Sequence, residues 1–106
     1  MNIRFVHLYD TYAGLLSERQ REIMDLYYNE DESLAEIAEN TGITRQGVRD
    51  WIKKTEAQLE GFEAALRLVE RNERLLYYLE TAKNALEKGS RAEARSAIIS
   101  AEGYIQ

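Results

Sequence analysis

Residues 33–56, SLAEIAENTGITRQGVRDWIKKTE, constrain the fold more than any other stretch of the chain. Ser33 followed three residues later by Glu36 is a capping box, the signature of a helix start. Leu34, Ile37 and Ala38 then recur at helical spacing, and Gly42 follows as the residue best suited to the left-handed turn that ends a helix. Thr44 can cap a second helix. Small Ala38 lets the two helices cross, Gly42 can take positive φ, and Ile37, Ile43, Val48 and Trp51 or Ile52 can pin the angle between them. These are the requirements of a helix-turn-helix. Thr44, Arg45, Gln46, Arg49 and Lys53 remain outward on the second helix. Arginine can bond guanine through two contacts, glutamine can do so with adenine, and a threonine at a helix start suits a phosphate.

Helical spacing also runs through the rest of the chain, which has no proline to interrupt it. Ile3, Phe5, Val6, Leu8, Tyr9, Tyr12 and Ala13 form one apolar stripe that ends near Gly14 or Leu15 and Leu16. Ser17 and Gln20 make another capping box, opening a helix that carries Ile23, Met24, Leu26 and Tyr27 inward and stops near Asn29. Past Thr44, the residues Val48, Ile52, Thr55, Leu59, Phe62, Leu66 and Val69 alternate steps of four and three, a heptad seam. Unbroken over residues 44–70, that helix is about 40 Å long. Leu75, Leu79, Ala82 and Leu86 form a further stripe. Gly89 stops it, Ser90 with Glu93 makes a third capping box, and Ala94, Ile98, Ala101 and Ile105 follow. This is the pattern of an antiparallel helical hairpin. The preceding RNER, residues 71–74, fits either a bend or continued helix.

The expected fold is therefore all-α. Residues 1–56 form a three-helix unit around the helix-turn-helix, and residues 57–106 form a long-helix extension and C-terminal hairpin for interaction or dimerisation. The hairpin either folds back on the seam or joins a homodimer. Arg49, Glu56, Glu63 and Glu70 flank one side of the seam and Gln58 and Ala65 the other, so a parallel dimer gains little from flanking pairs, which favours intramolecular packing.

Charge sets a tension. The chain carries 19 acidic and 14 basic residues, a net −5, yet residues 44–54 hold four cations against Asp50, a net +3. Phosphate neutralisation dominates nonspecific nucleic-acid binding, so any such contact is expected to be local and salt-sensitive. No apolar run approaches the roughly 18–20 residues needed to span a bilayer, and the first ten residues lack the pattern of a secretory signal, so a cytoplasmic protein without membrane insertion is expected.

The segments YAGLLSERQREIMDLYY, SLAEIAE and TRQGVRDWIKKTE resemble region 4 of sigma-70-type factors and, more closely, the YlxM family of small bacterial helix-turn-helix proteins. The likeness spans roughly residues 8–68. The sigma likeness implies base contact by Thr44, Arg45, Gln46 and Arg49 and backbone contact by Arg19, Ser33 and Lys53. The YlxM likeness implies an accessory or regulatory role in the signal recognition particle pathway, through the particle's RNA or its targeting GTPase. Nothing here resembles sigma region 2, so promoter melting is not implied. Gly47 departs from a good helix former and costs up to about 1 kcal/mol relative to alanine, while its size permits close approach to a groove.

Catalysis is not expected. His7 is the only histidine and there is no cysteine, so no triad or zinc site can be completed. His7 reads as a partly buried helix residue and Trp51 as a core anchor rather than a base-stacking platform. No cofactor or metal is expected. Three partner readings stay open: DNA or structured RNA, the targeting GTPase bound without nucleic acid, and DNA bound as a transcriptional regulator.

Overall fold

The computed structural model describes residues 2–105, and all regular structure among them is helical. The elements are α1 (Ile3–Tyr12), a 3-10 turn (Ala13–Leu15), α2 (Glu18–Tyr28), α3 (Leu34–Thr41), α4 (Arg45–Leu66), α5 (Leu68–Glu87) and α6 (Arg91–Glu102). They form two compact units, residues 1–66 and 67–106. Helix α4 passes through residue 56, where the sequence pattern suggested a division, without a break.

The capping boxes of α2 and α3 form as their spacing requires, while at α6 the Ser90 hydroxyl accepts from the Glu93 amide without a return bond from the Glu93 side chain. Ser17 Oγ accepts from the Gln20 amide while Gln20 Oε1 accepts from the Ser17 amide, and Ser33 and Glu36 reciprocate in the same way. Together they fix where α2 and α3 begin. Gly42 closes α3 at φ 72, and its amide donates to the Ala38 carbonyl.

In the first unit α4 packs against α1, α2 and α3. Its Val48, Ile52, Thr55 and Leu59 are buried, as are Leu8, Tyr12, Ile23, Met24 and Ile37 from the helices around it. Within this unit Val48, Ile52, Thr55 and Leu59 of the seam are thus covered by α1–α3. Polar joints reinforce the contact. Tyr12 Oη donates to Glu63 Oε1 at 2.6 Å, and Tyr28 Oη to Glu56 Oε2 at 2.6 Å. Gln20 Nε2 donates to Thr55 Oγ1 and to Gln58 Oε1. Arg4 forms a two-pronged ion pair with Glu60 (2.8 and 2.9 Å), and those hydrogen bonds hold the Glu60 carboxyl below the usual range. Glu63 and Glu56, two of the acids read as flanking charges of a coiled coil, instead receive the tyrosine hydroxyls of α1 and α2.

Three further expectations are corrected in this unit. The helix does not run unbroken through residue 70: Arg67 adopts a left-handed conformation (φ 53), α4 stops at Leu66, and Leu66 is exposed. Tyr28, not Tyr27, is the buried tyrosine of α2, because its ring meets Tyr9 at 5.7 Å and its hydroxyl reaches Glu56. His7 is exposed, on the side of α1 away from buried Leu8, Tyr9 and Tyr12.

In the second unit α5 and α6 form the expected hairpin, and RNER lies inside α5. Gly89 (φ 77) and Ser90 complete a Schellman turn, with the Ser90 amide on the Ala85 carbonyl and the Gly89 amide on the Leu86 carbonyl. Ser90 then caps α6. The buried face is narrower than the apolar stripes suggested. Ala82, Ala85, Ala94, Ala97 and Ala101 are buried, while Leu79, Leu86, Ile98 and Ile105 are exposed. Alanine against alanine brings the helices close and pushes the larger side chains to the flanks.

Candidate nucleic-acid interface

Helix α3, the Gly42 turn and the first turns of α4 build the candidate surface. Ile37 and Val48 are fully buried on either side of the turn, so the angle between the helices is fixed by packing. Ile52 supplies the next anchor. Trp51 does not: it is half-buried, with Lys54 Nζ 5.8 Å from its ring centroid, and it lines an open groove with Gly47, Asp50 and Lys54. Its neighbour Ile52 has the inward register, so the reading of Trp51 as a core anchor is corrected.

Thr44 caps α4, its Oγ1 accepting from the Gly47 amide at 3.0 Å and its carbonyl from the Val48 amide. Helix geometry leaves the Arg45 and Gln46 amides without an intrahelical acceptor. Arg45, Arg49 and Lys53 follow at intervals of four and so share one ridge, and all three are exposed. Among the described residues none of the three has a hydrogen bond or ion pair. Gln46 is exposed too, but its Nε2 donates to Asp50 Oδ1 at 3.0 Å, which occupies the one acid on this face.

The remaining two candidate residues lie off this ridge. Arg19 on α2 is half-buried. Its Nη2 donates to the Thr41 carbonyl at 3.0 Å and its Nη1 to Glu22 at 3.1 Å. This guanidinium therefore caps the end of α3 just before the Gly42 turn. Ser33 is exposed at the start of α3, and its hydroxyl serves the capping box. The Ser33 amide bond to Glu36 holds the Glu36 carboxyl below its ordinary range, so that acid stays charged beside Ser33.

Gly47 also serves the turn itself. A Cβ on it would lie 2.6 Å from Ile43 Cγ2 and 3.0 Å from Thr44 Oγ1. Its small size serves the closure of the turn over the helix start.

A short capped helix, a left-handed glycine and a second helix presenting unpaired cations define a helix-turn-helix protein. Residues 1–98 match the UPF0122 family model, described as "Putative helix-turn-helix protein, YlxM / p13 like". The chain is 42% identical over 97 residues to a UPF0122 protein of Halalkalibacterium halodurans, covering 92% of this chain and 89% of that one. It is 41% identical over 95 residues to one of Symbiobacterium thermophilum, covering 90% and 89%. A Thermoanaerobacter relative is 46% identical over 80 residues, covering 76% and 68%. The chain belongs to the UPF0122 family.

Proposed function

We propose that this protein is a non-enzymatic accessory or regulatory factor that contacts nucleic acid through the start of α4. Arg45 and Arg49 meet base edges or phosphates, Lys53 extends the contact along the backbone, and Thr44 with the free amides beside it receives a phosphate. One observation carries the reading: three cations aligned on an exposed ridge, with no hydrogen-bond or ion-pair partner among the described residues, on a chain of net −5. Arg4, by contrast, is held by Glu60. The YlxM likeness supports the signal recognition particle pathway as the setting and its RNA as a target. Among the described residues no helix is long and apolar enough to cross a membrane.

A second reading rests on charge. Residues 1–66 carry 13 acidic and 7 basic residues, a net −6, which opposes a polyanion everywhere except at the ridge. That favours a protein partner, for which the particle's targeting GTPase is the candidate. Cross-linking in cells, followed by identification of the RNA, DNA and protein recovered, separates the two. The nucleic-acid reading expects RNA or DNA cross-linked to peptides from residues 44–54. Recovery of the GTPase alone, undiminished by nuclease, would replace it with the protein-interaction reading.

A further inference from the structure

The second unit leaves a self-complementary groove. Arg95, Ile98, Ile99 and Glu102 fall on one face of α6, at the i, i+3, i+4 and i+7 positions, and line a groove closed on the other side by Leu86 of α5. Leu86, Ile98 and Ile99 are 61%, 47% and 53% exposed, although larger and more apolar than the alanines that hold the hairpin together. A two-helix hairpin buries too little surface to be robust by itself, and pairing is the usual remedy. Arg95 and Glu102 are seven residues apart, too far to reach each other along the helix, and neither has an ion pair among the described residues.

The order along this face is cation, two isoleucines, anion. Read backwards, it presents an anion, two isoleucines and a cation, so the face complements its own reversed copy. We propose that a second copy of the chain covers this groove. Two α6 helices pack antiparallel about a twofold axis between Ile98 and Ile99. Arg95 of each faces Glu102 of the other, and the two hairpins form a four-helix bundle. The isologous geometry makes both ion pairs at once. The charge of this unit agrees: residues 67–106 carry 7 basic and 6 acidic residues, a net +1, so two copies do not repel. The excess acid lies in residues 1–66, and a polyanion has little reason to settle on the groove.

Sedimentation equilibrium of the full chain tests the proposal. The wild-type protein is expected to be a dimer. Arg95→Glu alone, or Glu102→Arg alone, juxtaposes like charges twice and is expected to raise the dissociation constant about tenfold or more. The double variant Arg95→Glu/Glu102→Arg restores opposite charges at both pairs and is expected to return to wild-type affinity. An equimolar mixture of the two single variants is expected to form a heterodimer tighter than either alone, which shows that both are folded. A wild-type chain that stays monomeric up to about millimolar concentration, where dissociation constants mark very weak association, would overturn the proposal. So would a double variant as weak as the single ones, which would assign the groove to another protein.

Discussion

Gly47 is where packing and helix preference oppose each other. Alanine there gains up to about 1 kcal/mol of helix propensity, but its Cβ would meet Ile43 Cγ2 at 2.6 Å. That carbon belongs to a β-branched side chain with little freedom to swing away. Overpacking costs about 1–3 kcal/mol, so Gly47→Ala is expected to lower the melting temperature, read by circular dichroism. Arg45 and Arg49 stand at the other extreme. They have no hydrogen-bond or ion-pair partner among the described residues, so Arg45→Ala/Arg49→Ala is expected to leave the melting temperature unchanged. These residues show how legible the site was. Thr44, Arg45, Arg49 and Lys53 follow from register alone, since outward positions on a capped helix are fixed once its start is known. The work of Arg19 did not follow, because its acceptor is a backbone carbonyl 22 residues away and leaves no mark in the side-chain pattern.

At the scale of elements, Gln20 links the start of α2 to α4. Its Oε1 caps the helix while its Nε2 reaches Thr55 and Gln58. Gln20→Ala removes a cap and leaves buried Thr55 short of a donor, and is expected to cost about 2–3 kcal/mol in denaturant unfolding. The tyrosine joints predict a pH dependence. Burial first, then hydrogen bonds to Asp25 and Glu56, raise the pKa of Tyr9 and Tyr28 well above the ordinary value. The folded state therefore holds these protons more tightly than the unfolded chain does. The stability they contribute is complete below about pH 10, where unfolded tyrosine begins to ionise, and is lost as pH rises beyond it. Unfolding midpoints measured across that range are expected to fall less steeply in Tyr28→Phe than in the wild-type chain. The starts of α2, α3 and α6 were legible because serine and its partner three residues on mark them. The end of α4 was not. The chain turns left-handed at an arginine, a residue type that carries no such signal, while Gly61 sits inside an uninterrupted helix. Nor did the sequence reveal which apolar residues of the hairpin are covered, since leucine and alanine score alike in a stripe and only close helix approach selects alanine.

For the whole molecule, the opposition between an acidic chain and a nucleic-acid-type motif resolves into a division of charge. The first unit is acidic with a local cationic ridge, and the second is nearly neutral. Binding through such a ridge depends on few phosphate contacts. The affinity is expected to fall with salt on a shallow slope, which flattens by about one for each cation removed. The most direct measurement is a fluorescence anisotropy titration of labelled signal recognition particle RNA and labelled DNA duplex with the full chain and with Arg45→Ala/Arg49→Ala, repeated at several salt concentrations. The account predicts saturable binding to at least one of them by the wild-type chain, at least about tenfold weaker binding by the variant, and a reduced salt slope. Equal affinity and equal slope for the two proteins would contradict it.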